Sequence, residues 1–177
     1  MRLFVAILLE EAPKETLWQM AQQLKEESLQ GNITRRENLH LTLAFLGETE
    51  RKEDICRAMD QVGGREFAMT FDRMGKFRRD GGDLYWAGVS HCPPLLAVQR
   101  RLSRALKAQG FALEEREFRP HLTLGRQVIL SPEAEEGALA GRFLPVTTQV
   151  RAITLMKSER VGGKLTYTPI YERPLEG

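Results

Sequence analysis

The sequence has few of the marks of a secreted, metal-dependent or membrane protein. It holds two cysteines, Cys56 and Cys92, in no CxxC pair and at no Cys/His spacing of a zinc site, so both are expected as free thiols. No apolar run approaches the roughly 20 residues that cross a bilayer. The opening MRLFVAILLEEAPKE carries one basic residue, meets acidic residues at once and has no small-residue cleavage site, so it reads as a first strand rather than a secretory leader. No HxH, HExxH or nearby carboxylate cluster could complete a metal-ligand set around the histidines. Low-complexity segments and linkers are missing as well. These absences lead to the expectation of a cytoplasmic protein, a monomer, with no membrane partner, no metal and no cofactor.

What is present is ordinary for a folded domain: 42% hydrophobic and 28% charged residues over 177 positions. A net charge of +2 permits nucleic-acid binding without requiring it. The basic residues cluster at Arg35-Arg36, at Arg73, Lys76, Arg78 and Arg79, and at Arg100, Arg101, Arg104 and Lys107. Taken singly, each cluster is more readily a solvated face than a binding patch.

Hydrophobic periodicity predicts the elements. Strands are expected over residues 2–9, 39–46, 66–72, 84–90, 121–126, 146–157 and 165–172, and helices over 13–30, 50–62 and 94–109. Gly31-Asn32 is expected to close the first helix, and Ser131-Pro132-Glu133 to open a short fourth one. The order argues for an α+β or α/β sandwich of sheets with outer helices, without fixing the strand pairing, and residues 1–177 are expected to form one domain.

One repeat stands out: Asn38-Leu39-His40-Leu41-Thr42-Leu43 and Arg119-Pro120-His121-Leu122-Thr123-Leu124 share His-Leu-Thr-Leu, with the histidines 81 residues apart, close to half the chain. That spacing suggests duplication and a pseudo-twofold pair of lobes. On a strand, His and Thr of each copy share one face and the leucines the other. A groove between the lobes would then hold two imidazoles and two hydroxyls. One neutral imidazole can take a proton from an attacking water while one imidazolium protonates a leaving oxygen. The hydroxyls of Thr42 and Thr123 can bind the non-bridging oxygens of a phosphodiester. A lone strand histidine is more often structural, and His91 is expected to be a surface or loop residue. By strand parity Arg126 and Phe45 both turn away from the histidines, which puts Phe45 in the core and leaves Arg126 a weaker candidate for substrate binding.

Together with RLFVAI, ENLHLTLAFLGE, RPHLTLGR and the closing LMKSERVGGKLTYTPIYERPL, the two motifs resemble the two-histidine (2H) phosphoesterase superfamily. Within it, the chain is most similar to the RNA 2′,3′-cyclic phosphodiesterases historically named 2′-5′ RNA ligases. The resemblance covers essentially the whole chain. It implies an α+β fold of antiparallel sheets with outer helices, residues 1–177 forming two similar lobes in a pseudo-twofold pair with the two motifs facing a central groove, and hydrolysis of terminal 2′,3′-cyclic phosphates to 2′-phosphomonoesters, with reverse 2′-5′ ligation in some members. It further implies His40 as proton donor and His121 as proton acceptor, roles the repeat itself leaves interchangeable. Implied partners are RNA ends, tRNA fragments or small nucleotides, with Arg35, Arg36 and Arg119 available to steer an RNA backbone. Two alternatives stay open: a non-catalytic RNA- or nucleotide-binding module, and a phosphodiesterase for other cyclic or 2′-5′ nucleotides.

Overall fold

The computed structural model describes residues 1–177. In chain order it contains β1 (Arg2–Ile7), α1 (Glu11–Glu26), β2 (Ser28–Ile33), a 3-10 turn (Arg36–Asn38), β3 (Leu41–Glu48), α2 (Lys52–Asp60), β4 (Phe67–Phe77) and β5 (Asp83–Val89). There follow α3 (Pro93–Ala108), β6 (His121–Leu130), α4 (Glu136–Gly141), β7 (Val146–Val150), β8 (Ala152–Val161) and β9 (Lys164–Pro174). Every strand pairing is antiparallel, in the order β7-β4-β5-β6-β3-β1-β8-β9, with β2 added to β6.

Alternation along the strands decides which face is covered. Leu3, Val5 and Ile7 of β1, Leu41 and Leu43 of β3, and Leu122 and Leu124 of β6 enter one core with Leu17 and Leu24 of α1, Ile55 of α2, and Leu95 and Leu102 of α3. These helices therefore cover a single face of the sheet. On the other face, Phe4, Ala6 and Met156 form a separate small cluster with Tyr167 against it.

The sheet has two halves that meet where β3 lies beside β6, through one register pair, Leu41 with Leu122. These are the first leucines of the two repeats, so the pseudo-twofold passes between them. The halves are not halves of the chain. β8 and β9 from the C-terminus complete the β1–β3 half, and β2 from the N-terminus crosses to β6.

Several boundaries differ from the sequence expectation. α1 stops at Glu26, and Gly31 and Asn32, expected as its end, lie inside β2. The single strand expected over 146–157 is two strands broken at Arg151, one pairing with β4 and the other with β1. At that break Arg151 pairs with Glu10 and Glu66, and its carbonyl accepts the Leu175 amide. The fourth helix begins at Glu136, three residues beyond the Ser-Pro-Glu signal, which forms a turn instead.

Candidate active site

The two repeats adopt one local geometry, including a feature that alternation does not foresee. Opposite β1, Val5 pairs with Ala44 while the next residue, Ala6, pairs with Thr42, so Leu43 is an extra residue on β3. Opposite β5, Tyr85 pairs with Gly125 and Trp86 with Thr123, so Leu124 is the extra residue on β6. The second leucine of each motif is thus a β-bulge, and a bulge reverses the facing of everything beyond it. Leu43 and Ala44 are both buried, as are Leu124 and Gly125, and the residues that follow, Phe45 and Arg126, are turned outward. This corrects the parity argument for both: Phe45 is 51% exposed rather than in the core, and Arg126 lies on the histidine side of its strand.

A small residue must follow each bulge, because two successive side chains now point into the core. A Cβ on Gly125 would stand 2.9 Å from Ile33 Cδ1 and 3.1 Å from Val128 Cγ2.

His40 and His121 are oriented by the same device. The Nδ1–H of His40 donates to the Asn38 carbonyl at 2.7 Å, and that of His121 to the Arg119 carbonyl at 2.7 Å. Each bond fixes the ring and places the neutral tautomer's proton on Nδ1, leaving Nε2 as the working nitrogen. Nε2 of His40 accepts from the Thr42 hydroxyl at 2.9 Å, whereas Nε2 of His121 has no protein partner. Each imidazole also meets an aromatic edge: Tyr167 on His40 at 5.1 Å and Phe77 on His121 at 5.3 Å, both T-shaped. Phe4 packs beneath His40 at 5.0 Å. Asn38 is buried, and its amide donates to the Leu165 carbonyl at 3.0 Å, tying the turn before His40 to the strand that carries Tyr167.

Burial pushes both imidazoles below their ordinary value of 6.5, against the opposing pull of the carbonyl hydrogen bonds. The charge of Arg126 lowers both further, and that of His121 lowers His40. Three groups from the two halves of the sheet are therefore close enough to share one electrostatic environment. Thr42 and Thr123 are half-buried on the same face, and Thr123 is held by its carbonyl, which accepts the Thr34 hydroxyl at 2.9 Å.

Other residues singled out in the sequence are placed elsewhere. Arg36 is engaged by Glu11 and Glu15, and Arg35 by Glu37 and the Leu165 carbonyl, so neither is a free cation. Arg119 is exposed. His91 is exposed at the edge of a concavity of about 280 Å³ shared with Arg73, Ser90 and Pro120. No group of three or more His, Cys, Asp or Glu side chains is arranged to hold a metal ion, and no helix is long and apolar enough to cross a membrane. Sequence reading missed Tyr167, Phe77, Phe4 and Asn38. Tyr167 lies within the closing stretch that resembles the family, but nothing local distinguishes it from Tyr171.

The family profile of the 2′-5′ RNA ligase superfamily matches residues 13–162. The chain belongs to that superfamily. Relatives of this superfamily member include an RNA 2′,3′-cyclic phosphodiesterase of Thermotoga maritima, 29% identical over 100% of this chain and 97% of the relative. Another from Archaeoglobus fulgidus is 31% identical over 77% of this chain and 78% of the relative. Among solved structures, Escherichia coli LigT complexed with 3′-AMP matches with a TM-score of 0.81 at 27% identity, covering 98% of this chain and 97% of that one. The superfamily architecture, α+β with a curled antiparallel half-barrel sheet and four helices, is the one this chain adopts.

Proposed function

We propose that this chain hydrolyses terminal 2′,3′-cyclic phosphates on RNA to 2′-phosphomonoesters, with His40 and His121 as a general acid–base pair. The observation that carries the reading is the matched pair of imidazoles, one from each half of the sheet, each with Nδ1 committed to a backbone carbonyl. Each ring keeps Nε2 for proton transfer, and the charge of His121 acts on His40 across the junction of the two halves. The relatives named above are RNA 2′,3′-cyclic phosphodiesterases, which supports the substrate.

In this mechanism neutral His121 takes a proton from water at Nε2 as the water oxygen attacks phosphorus. The P–O3′ bond breaks, and the Nε2 proton of the His40 imidazolium passes to the departing 3′ oxygen, leaving a 2′-phosphate and a free 3′-hydroxyl. Thr42, Thr123 and Arg126 bind the non-bridging oxygens and stabilise the charge of the transition state. The Thr42 hydroxyl, which donates to neutral His40 Nε2, turns to the phosphate once that nitrogen carries a proton. Reverse ligation would use the same groups, with an RNA 5′-hydroxyl replacing water.

Three results are expected. Turnover of an RNA with a 2′,3′-cyclic end persists in excess EDTA, measured by chromatography of the 2′-phosphate product; its disappearance on chelation would contradict the histidine-only scheme. The pH profile of kcat/KM, which reports the free enzyme, has its maximum below 6.5, because both imidazoles are depressed and activity requires one charged and one neutral. Arg126 disfavours both imidazolium forms, so Arg126→Gln moves both limbs to higher pH while weakening substrate binding. A profile unmoved by that substitution would show that Arg126 does not act on the pair.

A further inference from the structure

Arg73 differs from the other cations singled out in the sequence because its place is prepared by a missing side chain. Arg73 of β4, Gly88 of β5 and His121 of β6 lie side by side across the sheet, each paired with the next. Residues directly opposite in a ladder point to the same face, so all three belong to the face of the two histidines. With no side chain at Gly88, the Arg73 guanidinium lies across it: a Cβ there would stand 3.0 Å from Arg73 Cζ and 2.8 Å from Trp86 Cζ3. The Trp86 indole flanks the guanidinium, with Arg73 Cζ 5.9 Å from the ring centroid.

Both hydrogen bonds that Arg73 makes to the protein use Nη1, one to Asp72 at 2.8 Å and one to the Val89 carbonyl at 3.2 Å. The edge formed by Nε and Nη2 has no protein acceptor, and that edge is a donor pair spaced for two oxygens of one phosphate. The Arg73 and Asp72 side chains are 55% and 38% exposed, so their ion pair holds the cation only weakly. Beside the guanidinium opens the concavity of about 280 Å³ that also holds Ser90 and His91. Its apolar lining comes from Val89, Leu95 and Leu96, and from Pro120, which directly precedes His121. A phosphate alone has no use for an apolar lining; a ribose and base do.

Resting on the function proposed above, we propose that this hollow is a second nucleotide subsite, which receives the nucleotide preceding the cyclic end. The Nε and Nη2 edge of Arg73 binds the phosphate that links the two nucleotides, and the preceding nucleoside settles against Val89, Leu95, Leu96 and Pro120. Arg126 is the cation whose charge lowers His121. Arg73, two strands away and so roughly 10 Å from His121 at the backbone, is placed for a different anion, the next one along the same chain. The consequence is selection by length: an RNA end fills both subsites, and a free 2′,3′-cyclic mononucleotide fills one.

The test uses the full chain and compares 2′,3′-cyclic AMP with the dinucleotide ApA ending in a 2′,3′-cyclic phosphate. The parent is expected to show a KM roughly 10-fold or more lower for the dinucleotide, the scale of one hydrogen-bonded charge pair. Arg73→Gln should raise the dinucleotide KM by about that factor with kcat within about twofold, and Arg73→Lys, which keeps the charge and loses the fork, should recover only part. Replacing the linking phosphate by a neutral methylphosphonate should weaken the parent and scarcely affect Arg73→Gln, a non-additivity that a purely structural role of Arg73 does not produce. A second arm reads binding without turnover, by calorimetry with 3′-AMP and ApA 3′-phosphate: the dinucleotide should bind the parent more tightly, and Arg73→Gln should erase most of that difference. Equal affinity of the parent for the two ligands, or a methylphosphonate that costs parent and variant alike, overturns the subsite. A parent that binds the dinucleotide through Arg73 yet turns over neither substrate overturns the proposed activity and leaves the subsite standing.

Discussion

Replacing His40 or His121 by Ala is expected to lower kcat on an RNA 2′,3′-cyclic end by roughly 10²–10⁴, the range for loss of one general acid or base. KM should change little, because the contacts proposed for the phosphate with Thr42, Thr123 and Arg126 do not involve the removed ring. The double variant should be scarcely worse than the worse single one, since the two groups act in one transition state and their losses do not add. Leaving-group chemistry then separates the roles. A p-nitrophenyl phosphodiester expels a phenolate that needs no proton, so the variant lacking the acid loses much less on it than on RNA, and the variant lacking the base loses on both. With His40 as acid, rescue belongs to His40→Ala; rescue of His121→Ala instead would reverse the assignment. Rates within threefold of the parent in either single variant would remove that residue from the chemistry.

The second large effect is on stability. Leu41 and Leu122 are fully buried and supply the register pair that joins the two halves of the sheet. Leu122→Ala is expected to cost about 2–5 kcal/mol, the usual penalty for truncating a core leucine. The reason is specific to the place: a cavity there sits under both histidine strands, and only one ladder pair holds them in register. Urea unfolding should show a lower midpoint with an unchanged slope. Leu165→Ala, at a leucine 38% exposed, provides the comparison and should fall within about 1 kcal/mol of the parent. A similar loss in both variants would show that the junction carries no special weight.

How much of this was legible beforehand depends on what each element's physics leaves in the sequence. The histidines and threonines were readable because period-two alternation acts locally, and Leu41 and Leu122 confirm it by their burial. Phe45 and Arg126 were misplaced because a bulge leaves only a faint mark: a small residue, Ala44 or Gly125, after the second leucine of each motif. That mark gains meaning only when the copies are aligned and the partner strands are known. The break at Arg151 was invisible for a related reason. VTTQVRAITLM holds no glycine or proline, and the chain passes from edge strand β7 to β8, inside the opposite edge, at an Arg151 whose partners Glu10 and Glu66 are distant in sequence. Tyr167 could not be selected among the aromatics of its hairpin, since its meeting with His40 spans more than a hundred residues of sequence.

The placement of β1 between β3 and β8 sets the timetable of assembly. A nascent chain can lay β3 against β1 early, but the other margin of β1 waits for residues 152–161, and the lid of Tyr167 over His40 waits for the hairpin beyond. During synthesis that margin is an open row of amides and carbonyls, the kind of surface on which chains stick to one another. Truncation before β8 should therefore give an insoluble product rather than a half-active one, and β1, made before every other strand of this sheet, is among the last of them to be enclosed.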